Sequence, residues 1–176
     1  MKHKNNQIKL IAGLILIISA LFLFLTFNSY WEHGIADQNE APKDIQNILG
    51  AIGAWISKYS IELFGVSAYF FVSIIFLVGI KTLFSFKRIN LLRVSIQHLF
   101  LLLWISIIFS ILPQQTPSLS GKFGITLYST LEKLIGDAGI ILLLITSLFI
   151  FIILVFNIST QNIKESYNQI KSVISF

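Results

Sequence analysis

The chain has no cysteine. Disulfides, thiolate metal sites and cysteine nucleophiles are excluded at once, and the redox compartment is left open. Charge is scarce as well: 12% of the 176 residues are charged, against 55% that are hydrophobic. Soluble domains carry about 25% charged residues, so this composition does not fit a water-soluble globule. Pro42, Pro113 and Pro117 are the only prolines, and all stand outside the apolar runs. No acidic residue falls inside those runs either. Proton and ion relays through a bilayer use buried ionisable groups, so a pump or coupled transporter is not expected.

Catalytic signatures are missing too. There is no G-x-x-x-x-G-K-[ST] loop; Gly79-Ile80-Lys81-Thr82 lacks both the glycine spacing and the Gly-Lys pair that cradles phosphate. H-E-x-x-H and G-x-S-x-G do not occur, and His3, His33 and His98 lie in three separate regions. The chain is therefore read as a non-enzyme with no catalytic, metal or cofactor residues of its own. A single His98 without an acidic partner reads as a hydrogen-bonded structural group rather than a proton carrier.

What is present is apolar length. Met1–Lys9 is polar and basic, and Leu10–Phe27 comes next with eighteen uncharged residues. That exceeds the roughly 7–15 of a signal-peptide core, and no cleavage-like site comes after it. It reads as a retained crossing at about 10–27, with Tyr30 and Trp31 at the interfacial aromatic belt. Glu32–Asp44, acidic and holding Gly34 and Pro42, reads as a loop. Further crossings are expected at about 66–86, 91–112 and 138–156, each long enough for a bilayer. Pro113 and Pro117 end the third, and Ser118–Ser120 is a candidate cap for the next helix.

Before the second and fourth crossings lie amphipathic segments at about 45–63 and 121–135. Ile45, Ile48, Leu49, Ile52, Ile56, Tyr59 and Leu63 form one stripe at helical spacing; Phe123, Leu127, Leu131, Leu134, Ile135 and Ala138 form another. Such segments fit helices lying in the outer membrane interface, the alternative being surface helices of an external domain. The four-helix domain spans 1–160. Residues 161–176 form a polar tail, read as an interfacial helix, a frayed end or the start of a linker.

The two halves share a pattern. Moving Gly50, Gly53, Gly65 and Ala68 forward by 71 residues gives Gly121, Gly124, Gly136 and Gly139. Both copies read G-x-x-G-x11-G-x-x-[A/G], and a repeat at fixed offset divides the chain into similar halves. These glycines have two readings: close packing between membrane helices, or turns into and out of helices at the interface.

Charge sets the topology. Lys2, Lys4, Lys9, Lys81, Lys87, Arg88, Arg93, Lys164 and Lys171 fall on one side, against Lys43, Lys58, Lys122 and Lys133 on the other. Nine against four places both termini in the cytoplasm, since basic residues accumulate there. This distribution accounts for the net charge of +5 without a nucleic-acid surface. The fold expected is all-α and integral to the membrane: four crossings as two parallel-repeat hairpins, each with an outer interfacial amphipathic helix.

The order of elements, with "NILGAIGAWISKYSIELFGVSAYFF" before the second crossing and "LSGKFGITLYSTLEKLIGDAGIILLL" before the fourth, carries a resemblance. So does "ADQ" at Ala36–Gln38. Over about residues 8–160 the chain resembles the N-terminal four-helix membrane domain of the FtsK/SpoIIIE DNA translocases, in its Bacteroidota-like version. The resemblance implies a non-catalytic anchor and oligomerisation domain at the division septum of the inner membrane. It also implies a hexameric assembly and septal division proteins as partners, besides the lipid bilayer. ATP, Mg and DNA are implied only for the family's motor domain, which no position here matches. The sequence ends at Phe176, which fits an isolated anchor, a truncated frame or a stand-alone relative. The competing readings are a small tetraspan carrier or channel subunit, and a membrane scaffold unrelated to DNA. A periplasm-active reporter fused after Asn90 should be silent and one fused after Ser118 active; the opposite pattern would reverse the orientation.

Overall fold

The computed structural model describes residues 2–37, 45–86, 90–112 and 117–159. Among them there are helices and no strands. The elements are α1 (Lys2–Asp37), α2 (Gly50–Phe64), a 3-10 turn (Gly65–Ala68), α3 (Tyr69–Phe84), α4 (Leu91–Ile111) and α5 (Pro117–Phe156). Four helical segments are long and apolar enough to cross a membrane: Asn6–His33, Gly50–Phe84, Leu91–Ile111 and Ser118–Phe156. In lipid a helix satisfies its own backbone polar groups, so the chain is an all-α multi-pass membrane protein. Its contacts form two compact units, Met1–Ser129 and Thr130–Phe176. The stretch 117–129 of α5 belongs to the first.

In the first unit α1 and α3 run antiparallel at very short range. A Cβ added to Gly13 would lie 2.7 Å from the Leu83 backbone nitrogen, and one on Gly79 would lie 3.0 Å from that of Ile17. Further along, the Phe27 and Tyr69 rings meet edge to face at 5.5 Å. Lipid tails are as apolar as leucine, so helices associate in membranes by such close packing and by polar contacts rather than by expelling water. Burial obeys the same logic. Thr26, Ser57, Ser67, Ser106 and Ser110 are inside with Ala20, Phe27, Ile61, Ala68 and Val72. Ile15, Ile18, Leu21, Leu92 and Ile96 face outward, a surface suited to hydrocarbon.

Helix ends differ from sequence expectation in four places, each for a local reason. First, α1 runs on to Asp37, so Glu32–Asp37 is helical rather than loop: a single glycine, Gly34, weakens a helix without ending it. Second, α2 starts at Gly50 and not near Ile45. Asn47 is buried there: it accepts from the Thr26 hydroxyl at 3.0 Å, donates to the Thr26 carbonyl at 3.3 Å and accepts from the Leu49 amide at 3.1 Å. The Ile48 amide donates to Ser29 Oγ at 3.0 Å. Those bonds hold the approach to α2 as a tether on α1 instead of a further helical turn.

Third, Pro117 opens α5, where its missing N–H costs nothing. Ser118–Ser120 consequently lie inside α5 and do not cap it. Fourth, the segments expected at 121–135 and 138–156 are parts of this one helix. At α4, Asn90 caps the start by accepting from the Arg93 amide at 3.2 Å. In the second unit, Asn157 turns left-handed (φ 51°) and the Ile158 amide donates to the Ile153 carbonyl at 3.0 Å. This Schellman closure ends the fourth crossing. The loop 38–44, the turn carrying Lys87 and Arg88, Pro113 and the tail 161–176 lie outside the described residues.

Asn47→Ala should lower stability by about 1–3 kcal/mol, the cost of leaving buried polar groups unpaired. Thermal unfolding in detergent micelles reads this, and an unchanged midpoint would show that the tether contributes nothing.

Candidate functional site: the paired glycine elbows

Four glycines share one backbone state. Gly50, Gly65, Gly121 and Gly136 have φ of 65°, 61°, 69° and 66°. Side-chain-bearing residues rarely hold this left-handed conformation, while glycine reaches it freely. Gly50 pairs with Gly121, and Gly65 with Gly136, at the offset of 71. The backbone thus repeats with the sequence. Gly50 stands at the start of α2 and Gly65 just past its end; Gly121 and Gly136 both lie inside the unbroken helix α5.

Gly53 and Gly124 work differently. Both are buried, and each abuts the crossing that precedes it in the chain. A Cβ on Gly53 would collide with Asn47 Oδ1 and lie 2.6 Å from Thr26 Oγ1 of α1; one on Gly124 would lie 2.7 Å from the Ser106 carbonyl oxygen of α4. In each copy the first and third glycines hold positive φ and the second packs against a neighbouring helix. Gly139 meets its own helix, with Ile135 Cβ at 2.8 Å. Its counterpart Ala68 is buried in the first unit.

Two of the elbows touch. A Cβ on Gly65 would strike the Leu119 carbonyl and lie 2.7 Å from the Gly121 nitrogen; one on Gly121 would lie 2.5 Å from the Gly65 nitrogen. Around this backbone contact the Phe64 and Phe123 rings meet at 5.8 Å. Lys122 Nζ donates to Glu62 Oε2 at 3.0 Å, and Ser106 Oγ donates to Ser67 Oγ at 3.0 Å. Close by, the hydroxyl of Ser120 is buried without a partner among the described residues. The outer two glycines are open: a Cβ on Gly50 or Gly136 would meet no atom within 4 Å among the described residues.

The amphipathic stripe of α2 faces away from the protein. Ile52, Tyr59 and Leu63 are exposed, while Gly53, Ser57 and Ile61 are buried. The buried face is the small one because α1 must come close. Of the basic residues, Lys9 and Arg93 are exposed and Lys81 is half-buried. Lys2 and Lys4 lie in α1, with no side-chain surroundings described.

The residues that sequence reasoning missed are Gly13, Gly79, Thr26, Asn47, Ser67 and Ser106. A small-residue search within the apolar runs would have found most of them; Asn47, outside any run, had no such signal. His98 joins α3 to α4, with Nδ1 2.8 Å from the Val94 carbonyl and Nε2 2.8 Å from Ser73 Oγ. A carbonyl only accepts, so Nδ1 carries the proton, and in the neutral ring Nε2 accepts from Ser73. No group of metal-ligating side chains occurs among the described residues.

The elbows separate two costs that substitution can test. Ala at Gly50 or Gly136 should cost the strain of positive φ alone, about 1–2 kcal/mol. At Gly65 or Gly121 the backbone collision adds to that strain, so these variants should unfold at clearly lower temperature. Equal losses at all four would mean that the inner contact is not close.

A family model described as the 4TM region of DNA translocase FtsK/SpoIIIE matches residues 5–168. No curated protein and no solved structure matches the chain.

Proposed function

Because the chain belongs to the FtsK/SpoIIIE family, as its four-helix membrane region, we propose that it is a non-catalytic membrane anchor and assembly domain. It would serve a DNA translocase in cell division and chromosome segregation. The observation that carries this reading is the family match across nearly the whole chain. The four spanning helices and the elbow geometry are consistent with it. With both termini in the cytoplasm, as the basic residues favour, the C-terminal end leads toward the side where a motor would work on DNA. ATP and Mg belong to that motor in this reading, and DNA is reached only through it. The partners proposed for the chain itself are the lipid bilayer, further copies of the chain and proteins of the division septum in the inner membrane.

A carrier would need a polar group free to face a permeation path. His98 is instead engaged at both ring nitrogens between two helices, which weighs against that alternative. A fluorescent fusion of the full chain, produced in a dividing bacterium of its own group, should concentrate at the division site. An even distribution around a membrane into which it has inserted would contradict the anchor role.

A further inference from the structure

We infer that α2 is a phospholipid-binding strap in the plane of the outer leaflet, sunk to the boundary between headgroups and acyl chains. The inference goes beyond the anchor role and does not depend on it. Length gives the first reason. Gly50–Phe84 as one straight helix would extend about 52 Å, while the hydrocarbon core of a bilayer is about 30 Å thick. Gly65, left-handed at φ 61°, breaks that line. The 3-10 turn and α3 together, Gly65–Phe84, already supply the roughly 20 residues that a crossing needs. This leaves α2 over, at the outer end of the crossing.

The depth of α2 follows from what its two ends touch. Its start packs on α1 at Thr26, through Gly53 and Asn47. Its end is held at α4, where Ser106 bonds Ser67 of the turn that comes after α2. Lys9 and Arg93 are exposed cations suited to the inner interface. At about 1.5 Å per residue, Thr26 stands about 25 Å along α1 from Lys9, and Ser106 about 20 Å along α4 from Arg93. Both ends therefore sit at nearly one height, just inside a core about 30 Å thick. Trp31 stands about 7 Å further along α1, at the aromatic belt, where its ring N–H donates to the Tyr69 hydroxyl at 3.1 Å.

The side chains of α2 are sorted to match that depth. Gly53, Ser57 and Ile61 form the buried stripe. At about 100° per residue, Ile52, Ile56 and Leu63 fall on one flank of it, and Lys58 and Glu62 on the other. Trp55 and Tyr59 lie opposite the stripe; Ile52 and Trp55 are 68% and 62% exposed. Glu62 is met by Lys122 from the opening turns of α5, which marks the polar flank as the outward one. Among the described residues Lys58 makes no ion pair, which leaves its ammonium for a lipid phosphate. The apolar flank then lies along acyl chains, as in helices that float at a membrane surface. Depth favours lipid over a protein partner, because a partner at this height would have to displace acyl chains.

The test uses the full chain, which has no native cysteine, in vesicles of phosphatidylethanolamine and phosphatidylglycerol. Nitroxides are placed singly on I52C, L63C and K58C, and their collisions with oxygen and with a water-soluble nickel chelate are measured. The oxygen-to-nickel ratio should be several-fold higher at I52C and L63C than at K58C. Nickel access at all three sites would place α2 in water, open to a protein partner, and would overturn the proposal. So would spin–spin broadening at I52C that disappears on dilution with unlabelled chain, since a second copy would then cover the face. An unlabelled measurement guards against a misfolded variant. Bromine near the headgroup end of the acyl chains should quench the emission that W55F removes; if that emission is unquenched, α2 is not in the leaflet. Septal localisation is read separately, so failure here leaves the anchor role standing.

Discussion

Where the 3-10 turn at Gly65 meets the start of α5, two backbones touch with no side chain between them. In water such a contact would be one among many apolar contacts. In lipid, where burying a leucine gains little over leaving it in the acyl chains, dispersion at close range and a few hydrogen bonds carry the association. The approach at Gly65 and Gly121 brings Phe64 onto Phe123 and Ser106 into reach of Ser67. It also sets the end of α2 beside the start of α5, so that Glu62 and Lys122 pair. Within the first unit, this contact is where α2 and the opening stretch of α5 are drawn together.

The same constraint orders the rest of the unit. Several of the tightest approaches are made at glycine: Gly13 and Gly79 between α1 and α3, Gly53 against α1, Gly124 against α4. Buried hydroxyls such as Ser57 and Ser110 find partners along the helices, on the Gly53 and Ser106 carbonyls. A fold built this way keeps its interior narrow and its large side chains outward. Among the described residues it gathers no set of metal ligands. The family match is to the membrane region of the translocase.

Much of this was legible in the sequence, and the limits have physical causes. The offset of 71 residues between glycines told of a backbone repeat, because few residues but glycine tolerate the positive φ that the elbows require. The uncharged runs told of spanning helices, because a bilayer demands length without charge. The partner of each elbow was not legible: a glycine shows that space is needed without showing what fills it. Nor was the buried face of α2. The apolar stripe is the natural candidate in water, yet in lipid Gly53 and Ser57 turn inward and Ile52 and Tyr59 turn out. The Asn47 tether to Thr26 joins residues 21 apart in sequence, and no local period records it. Pro117 read as a stop because proline ends one helix as readily as it opens the next.

The central claim is that the two repeats meet at their inner elbows, and one spectroscopic comparison addresses it directly. With nitroxides on E62C and K122C in a chain free of native cysteine, the continuous-wave spectrum in lipid bilayers should show strong dipolar broadening. A spectrum equal to the sum of the two singly labelled proteins would contradict the account.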